Sequence, residues 1–410
     1  MAPAGFLGGG HPARLKRRSA RPLDRKGHQP GVKASGPRPG HGGRLIPAPY
    51  NLRMAIHEAA HTIEQDPELA RYSRQMLFAP LGEEGQRRLL AARVTLIGCG
   101  ALGSVLANTL VRAGVGFLRI VDRDFIELNN LQRQVLFDED DIAANLPKAE
   151  AARRKLQRIN SNVTIEARIA DVTHRNIEEL ADGADLLLDG TDNFETRFLI
   201  NDFCVKTNRP WVYGAVIGAT GLALSILPHD TPCLRCVFET APPPEMNPTC
   251  DTAGVLGPAV NMVASFQAAE AIKILAGRRE AVNRRLLSFD LWAGRFALLK
   301  VQKAYDEGDC PCCKRGQFEY LEGRWASSAT TLCGRNAVQV TPPAGQRVDF
   351  AIIAAKMRAV SVGEPSFNAF MLKARVDAFE VTVFADGRAI IKGTSKPEEA
   401  KTIYARYIGA

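Results

Sequence analysis

A glycine-rich turn between an apolar strand and a helix limits the possible folds of this chain more than any other feature. The run Arg93–Ile97 is apolar and β-rich, the turn at residues 98–103 reads G-x-G-x-x-G, and residues 104–113 have helical apolar spacing. A second apolar run, Phe117–Val121, follows and ends in Asp122. Strand, turn, helix and strand form a βαβ unit, which requires parallel strands and a right-handed crossover. The pattern predicts an α/β fold with a mostly parallel sheet.

The remaining chain divides by pattern into one large and one small folded part. Further strand-like runs lie at residues 165–170, 184–188, 211–215 and 222–227. The length of 410 residues and an apolar content of 46% are ordinary for a soluble globular protein of two or three domains. We expect a Rossmann-like nucleotide-binding domain over residues 64–315 and a linker with some strand content over residues 316–347.

Residues 348–410 predict a small α+β domain. Asp349 is placed to cap a helix over residues 350–359, and residues 380–391 have the alternation and the turn of a hairpin. Ser395 and Glu398 have the spacing of a capping box for a last helix. The sequence assigns no chemistry to this domain.

The first 53 residues differ from the rest in charge and composition. They contain eleven Lys/Arg, one acidic residue and 18 Gly or Pro, so they carry a charge of +10 out of the chain's net +9. Such a segment cannot bury a core, and we expect a disordered, dispensable tail. Met54 would then be a natural first residue, and a nucleic-acid-binding or targeting tail is the alternative. We expect no nucleic-acid partner for the nearly neutral remainder.

Targeting and membrane signals are not visible in the sequence. The tail has no apolar core of a secretory signal, and the best candidate span, residues 257–277, is interrupted by polar side chains. Nine cysteines without a secretion signal indicate a reducing compartment, with thiols free or bound to metal. We therefore expect a cytoplasmic protein without a membrane partner.

The glycine turn predicts a nucleotide site. Glycines let the backbone approach a phosphate closely, and the following helix N-terminus supplies N–H groups and positive dipole. Asp122, at the end of the next strand, is suitably placed to bind ribose hydroxyls. A tight turn without a ligand is the simpler alternative. We expect Cys99 to be a small filler in the turn.

A polar cluster after the second strand favours triphosphate chemistry over a dinucleotide. Asp124 and the segment 129–134 (Asn-Asn-Leu-Gln-Arg-Gln) follow directly. Arg133 and Lys148 are cations suited to charge on departing pyrophosphate. Asp192 could hold Mg²⁺ or, like Asn193, cap the following helix. Residues 71–75 offer a third cation, but by themselves they are typical of a solvated basic helix face.

Two cysteine pairs of equal spacing predict a metal site. Cys233-x-x-Cys236 and Cys310-x-x-Cys313 together offer four thiolates, enough for a tetrahedral structural zinc site. Cys312 could compete as a ligand. Cys250 lies in a Pro-rich loop and is either a nucleophile with a lowered pKa or an unreactive loop cysteine.

These motifs, in this order, resemble the ThiF/MoeB family, the bacterial relatives of ubiquitin-activating enzymes. The resemblance runs from about residue 71 to residue 314 and includes Arg-Tyr-x-Arg-Gln at 71–75, Asn-Leu-Gln-Arg-Gln at 130–134, Pro-Lys at 147–148, Thr-Asp-Asn at 191–193 and both cysteine pairs. It implies a ThiF-type fold and an adenylyltransferase that uses Mg-ATP to activate the C-terminal glycine of a ubiquitin-fold sulfur carrier ending in Gly-Gly. The carrier would be of the molybdopterin or thiamine type.

The resemblance also implies roles for individual residues. Arg74 would reach the site of the other subunit in a homodimer, Lys148 and Asp192 would serve the triphosphate and Mg²⁺, and Cys250 matches a position that bonds covalently to the carrier in part of the family. The paired cysteines would hold Zn²⁺. The implied nucleotide-binding residues are Gly98, Gly100, Ala101, Gly103, Asp122, Asn129, Asn130, Leu131, Gln132, Arg133, Lys148, Asp192 and Asn193.

Three departures and three rival functions accompany the resemblance. Ala101 replaces a common glycine, the segment before Lys148 is two residues longer than in molybdopterin members, and residues 348–410 have no counterpart in the minimal enzymes. No rhodanese module is visible. The rivals are activation of a peptide C-terminus or a tRNA-thiolation carrier, an NAD-binding oxidoreductase, and a catalytically silent binding module.

Overall fold

The computed structural model describes residues 66–240, 253–325, 329–332, 336–342 and 348–408. By its contacts the chain divides into the units 1–53 and 54–410, and every described residue belongs to the second. The predicted tail and Cys250 lie outside the described residues.

An eight-stranded sheet forms the centre of the larger part, with strand order β3-β2-β1-β4-β5-β6-β7-β8. The five neighbouring strands β3, β2, β1, β4 and β5 are parallel, as the βαβ pattern predicts. The pairs β5–β6, β6–β7 and β7–β8 are antiparallel. The strands are β1 Arg93–Ile97, β2 Phe117–Val121, β3 Thr164–Arg168, β4 Leu186–Asp189, β5 Trp211–Ile217, β6 Thr220–Ile226, β7 Leu286–Asp290 and β8 Arg295–Leu299.

Helices connect and cover these strands. They are α1 Ser73–Met76, α2 Gly82–Ala91, α3 Ala101–Ala113, α4 Glu139–Ala143, α5 Lys148–Ile159, α6 Ile177–Leu180, α7 Phe194–Thr207, α8 Leu234–Val237, α9 Gly257–Leu275 and α10 Gln302–Asp306, with 3-10 turns at Ala70–Tyr72, Leu128–Asn130 and Arg279–Ala281. The helix predicted from residue 104 begins three residues earlier, because the glycine turn leads directly into α3.

Both faces of the parallel strands are buried. In β4, Leu186 and Leu188 belong to one apolar cluster with α3 and α9, whereas Leu187 belongs to another with α7. Alternation of side chains across a strand places successive leucines on opposite faces, so a continuous apolar run is what a two-sided cover requires. The loops at the strand ends are therefore held by packed layers on both sides.

A second, antiparallel sheet has the strand order β11-β12-β13-β14-β10-β9. Its strands are β9 Ala329–Leu332, β10 Ala337–Val340, β11 Ser366–Phe367, β12 Met371–Val376, β13 Phe379–Phe384 and β14 Ala389–Lys392, packed with α11 Phe350–Arg358 and α12 Pro397–Tyr407. We call residues 329–408 the C-terminal domain. Two of its strands lie within the predicted linker, because β10 pairs with β14 across a long chain separation.

Local capping in this domain agrees with the sequence at one helix and differs at the other. Asp349 accepts the N–H of Ala351 at 2.8 Å and so caps α11 as predicted. The box predicted at Ser395 and Glu398 is wrong, because α12 begins at Pro397 and the side chains of Thr394 and Glu399 bond each other instead. Among the described residues, no helix is long and apolar enough to span a bilayer.

Candidate nucleotide site and cysteine centre

The glycine turn is held by close backbone contact with the turn that follows β4. A Cβ on Gly98, whose φ is +88°, would lie 2.5 Å from the carbonyl oxygen of Gly190, and a Cβ on Gly103 would lie 2.0 Å from the carbonyl oxygen of Gly98. No side chain fits either position. These glycines therefore let two neighbouring strand-to-helix turns pack directly against each other.

Gly100 has a different environment. Of the residues that the structure describes, only the Gln134 side-chain amide would lie near a Cβ there, at 3.8 Å. Gly100 is the N-cap of α3, and Ala101 is the first residue of the helix. A helix N-terminus with a glycine at its N-cap is a ready site for a phosphate, because its N–H groups and dipole favour anions. The alanine at 101 leaves this backbone arrangement intact.

The Asp122 carboxylate holds the glycine turn by hydrogen bonds to the backbone. Its Oδ2 accepts the N–H of Cys99 at 2.6 Å, and its Oδ1 accepts the N–H of Asp124 at 2.7 Å. Burial raises the pKa of the Asp122 carboxyl, and the nearby Lys148 ammonium opposes that rise. Burial also raises the pKa of the Cys99 thiol, in agreement with a filler role.

Lys148, the first residue of α5, lies beside Asp124 in the segment that follows β2. Its backbone N–H donates to the carbonyl of Asp124 at 2.9 Å, and its Nζ lies 3.1 Å from the Asp124 carboxylate. The side chain is almost fully buried. This contact places Lys148 beside the segment that follows β2.

A short 3-10 turn presents the asparagines and Arg133. Glu127 and Asn130 form a reciprocal capping box, and Asn130 donates to the Asn129 side chain at 2.9 Å. Arg133 donates to the Asn129 carbonyl at 2.7 Å and remains half-buried. Leu131 lies between them, packed against the core. Gln132 is exposed, with its backbone carbonyl facing the start of α9.

The turn after β4 divides its two polar residues between two roles. Asn193 accepts the N–H of Thr196 at 2.8 Å and caps α7, which leaves the exposed Asp192 carboxylate for another role. Asp192 acts electrostatically on Arg123, which follows β2. Its position beside the β2 and β4 ends fits a carboxylate ligand for Mg²⁺ on a triphosphate.

Two residues that hold this turn were missed by sequence reasoning. Arg197 donates to the fully buried Asp189 at 3.0 Å and to the Thr191 carbonyl at 2.7 Å. Burial alone would lower the pKa of Arg197, but the Asp189 carboxylate raises it. From α9, Gln267 donates to the Asp189 carbonyl at 2.9 Å. The available signal was an acid ending an apolar strand with an arginine two helical turns later.

The segment 71–75 contacts the protein's own core through Arg71, Tyr72 and Gln75. Tyr72 accepts from Asn160 at 2.8 Å, Gln75 donates to the Ala113 carbonyl at 3.0 Å, and Arg71 donates to the Ile159 carbonyl at 2.8 Å. Arg74 is exposed on α1. The described contacts do not bring Arg74 to the glycine turn of its own chain.

The predicted nucleotide residues other than Arg74 meet at one edge of the sheet. β1 lies between β2 and β4 in the sheet. The chain continues from β1 to β2 and β3 on one side, and β4 and β5 are added on the other side. Ligands of open α/β sheets bind where the strand order reverses, beyond the carboxyl ends of the strands. The turns after β1, β2 and β4 converge there.

The four paired cysteines form a compact cluster. Their sulfur atoms all lie within 4.8 Å of one another. Cys233 is 3.6 Å from Cys310, and Cys236 is 3.4 Å from Cys313. Sulfurs around a tetrahedral zinc with bonds of about 2.3 Å are separated by about 3.8 Å, so this donor set fits Zn²⁺.

Cys312 lies outside the cluster. Its sulfur accepts from the Asn201 side chain at 3.3 Å, and the residue is buried beside Asp202. The alternative in which Cys312 replaces a paired cysteine as ligand is therefore not the arrangement in the structure. Cys204 is in the core.

The chain is similar to known proteins over most of the described region. A model described as the ThiF family matches residues 72–312, more than half of the chain. The sulfur carrier protein ThiS adenylyltransferase of Bacillus subtilis is 43% identical over 339 residues, which cover 83% of this chain and 99% of that protein. The SAMP-activating enzyme E1 of Haloferax volcanii is 40% identical over 62% of this chain and 92% of its own length.

A solved structure supports the fold alone. A crystal structure of Escherichia coli MccB superposes with a TM-score of 0.52 and 24% identity, over 59% of this chain and 74% of that one. The match of the family model over more than half of the sequence, together with a relative 43% identical over nearly its whole length, shows that this chain belongs to the ThiF family.

Proposed function

We propose that this chain is an ATP-dependent adenylyltransferase that activates the C-terminal glycine of a ubiquitin-fold sulfur-carrier protein. The observation that carries the proposal is the meeting of the helix N-terminus at Gly100, the buried Lys148 and the exposed Asp192 at the switch point of the sheet. The names of the two relatives, which activate ThiS and SAMP, support this substrate class.

The chemistry follows from positioning and charge. The carrier carboxylate attacks the α-phosphorus of ATP, the bond to the β-phosphate oxygen breaks, and pyrophosphate leaves with the electron pair. A carboxylate needs no general base. The N–H groups of α3, Lys148 and Arg133 stabilise the charge that develops on the phosphates. Mg²⁺, held by Asp192, would neutralise part of the triphosphate charge.

Asp122 and the asparagines complete the proposed nucleotide contacts. With one lone-pair direction of each Asp122 oxygen given to a backbone N–H, the carboxylate retains acceptor capacity for ribose hydroxyls. Asn129 and Asn130 line the triphosphate from the 3-10 turn. These roles agree with the side chains' location at the end of β2.

Zinc in the cysteine cluster would be structural. A site closed by four thiolates leaves no position open for substrate. The metal would tie α8, after the sixth strand, to the segment that follows α10.

We further propose a homodimer and a cytoplasmic location. The exposure of Arg74, on a segment whose neighbouring residues are anchored to the chain's own core, is consistent with an arginine that acts in the partner's site. A carrier of the thiamine type is favoured by the long alignment with the ThiS adenylyltransferase. Activation of a tRNA-thiolation carrier or a peptide C-terminus remains the alternative.

Cys250 is proposed to act after adenylation. Its thiolate would attack the acyl-adenylate carbonyl and displace AMP. The product is a thioester between Cys250 and the carrier. Cys250→Ala should keep ATP–pyrophosphate exchange and lose a carrier adduct that a thiol reductant cleaves. Intact-mass analysis of enzyme, carrier and ATP, with and without reductant, checks this. An adduct of unchanged yield in Cys250→Ala would contradict the assignment.

ATP–pyrophosphate exchange tests the proposed activity. We expect exchange that requires both Mg²⁺ and a carrier ending in Gly-Gly, because pyrophosphate can be reincorporated only from an acyl-adenylate. A panel of thiamine-type, molybdopterin-type and tRNA-thiolation carriers identifies the preferred partner. Removal of the terminal glycine from the best carrier is the matched control and should abolish exchange. Exchange at an equal rate with the shortened carrier would contradict the proposal.

A further inference from the structure

The C-terminal domain contacts the larger part of the chain at the segments that carry the nucleotide residues. Phe125, one residue after Asp124, is buried in a cluster with Ala337, Met371, Phe384 and Ile390 of that domain. Lys373 lies 4.3 Å above the Phe125 ring. The β2 end therefore enters an apolar pocket that the second sheet supplies.

One carboxylate is shared between the two parts. Glu127 pairs with Lys392 at the end of β14 and at the same time caps the 3-10 turn that contains Asn129 and Asn130. A cation beside a capping carboxylate limits the directions that the carboxylate can take. The orientation of the asparagine turn is thus linked to a lysine of the C-terminal domain.

A second carboxylate is shared in the same way. Gln339 donates to Asp171 at 2.7 Å, and Asp171 forms a two-point pair with Arg123 at 3.0 and 3.1 Å. Arg123 in turn lies 3.9 Å from the carboxylate of Asp124, which pairs with Lys148. A row of polar contacts therefore connects β10 to the buried lysine of the nucleotide site.

The loop before Lys148 is held by a third set of contacts. Lys373 donates to the Asn145 side chain at 2.8 Å, and Asn368 donates to the Asn145 carbonyl at 2.9 Å. Asn145 has a φ of +49° and lies three residues before Lys148. The C-terminal domain thus contacts the chain on both sides of the Asp124–Lys148 pair.

We propose that the C-terminal domain positions the triphosphate-binding residues, with Lys392 and Gln339 as the positioning residues through which it acts; this rests on the proposed nucleotide site. Apolar packing around Phe125 would be enough to join the two parts. The polar contacts end instead on carboxylates whose other partners are the asparagine turn and Arg123. The domain therefore acts on the Mg-ATP site through the residues that line it.

The test uses the full chain and the variants Lys392→Met, Gln339→Leu and their combination. Lys392→Arg is the conservative rescue, and Lys401→Met, an exposed lysine of α12, is the matched control. Mg-ATP binding is measured by titration calorimetry without carrier, and hydrogen–deuterium exchange is measured over residues 123–134 and over the strands of the second sheet. The KM values for ATP and for the carrier are measured in the exchange reaction.

We expect Lys392→Met to weaken Mg-ATP binding roughly 10-fold, the lower range for loss of an outer partner of a binding group. Amides of residues 127–134 should exchange faster, whereas the second sheet keeps its protection. KM for ATP should rise while KM for the carrier is unchanged, and Lys392→Arg should restore binding. Mg-ATP binding and hydrogen–deuterium exchange at wild-type levels in the double variant would overturn the inference. Absence of Mg-ATP binding in the wild type would defeat the proposed function. Hydrogen–deuterium exchange over residues 127–134 in Lys392→Met would then decide this inference separately.

Discussion

Lys148 shows how one charged residue is carried into the interior of this protein. Its side chain is 4% exposed, and the Asp124 carboxylate lies 3.1 Å away. A buried ammonium without a counter-charge would be costly, so the acidic partner and the lysine stabilise each other's charged form. The same pair leaves a cation close to the helix N-terminus where phosphates are proposed to bind.

Arg133→Ala and Asp192→Ala should each reduce ATP–pyrophosphate exchange by roughly 10²-fold or more, the scale for loss of a preorganised charge partner. The Arg133→Ala variant would lack a cation beside the leaving pyrophosphate, and the Asp192→Ala variant would lack a Mg²⁺ ligand. Arg158→Ala, exposed in the last turn of α5, is the control and should be silent. Wild-type exchange in both site variants would refute the site assignment.

At the scale of elements, a sequence pattern that depends on near neighbours predicted the structure well. The bounds of β1 and β2 agree with expectation because buried strands have local signals. The Asp189–Arg197 pair and the entry of β9 and β10 into the second sheet were not predicted. Both depend on partners chosen by tertiary packing, which periodicity does not encode.

The cysteine cluster is an element-scale feature with its own test. Cys310→Ala should lower the zinc content and the Tm, since three ligands cannot close the site. We expect a fall in Tm of at least ~10 °C, which corresponds to roughly 3 kcal/mol for a domain of this size. Cys312→Ala, adjacent in sequence but outside the cluster, should keep its zinc. Freshly purified, chelator-free wild type without zinc would contradict the assignment, and so would equal zinc loss in both variants.

At the scale of the whole molecule, the parts have different relations to the proposed chemistry. The parallel half of the large sheet presents the nucleotide residues, and the C-terminal domain contacts the same loops through Phe125 and Glu127. The basic charge of the chain lies in residues 1–53, whereas the remainder is nearly neutral. The net charge is therefore not an indication of the substrate of the folded part.

Deletion of residues 1–53 should leave exchange activity and Tm unchanged. The reason is that charge and composition exclude this segment from a packed core. The comparison is between the full chain and a chain that starts at Met54, each assayed for exchange with the same carrier and for thermal unfolding. A large loss of either quantity in the shortened chain would show that the segment is required.

The central claim, adenylation of a protein carboxylate, is tested most directly by following the label of ATP into the carrier. With ATP labelled at the α-phosphorus, we predict that the carrier becomes labelled before any transfer to a thiol and releases labelled AMP on hydrolysis. With ATP labelled at the γ-phosphorus, we predict label in pyrophosphate alone. Label in the carrier from the γ-position, or release of ADP, would contradict this account, because it would show phosphorylation and not adenylation.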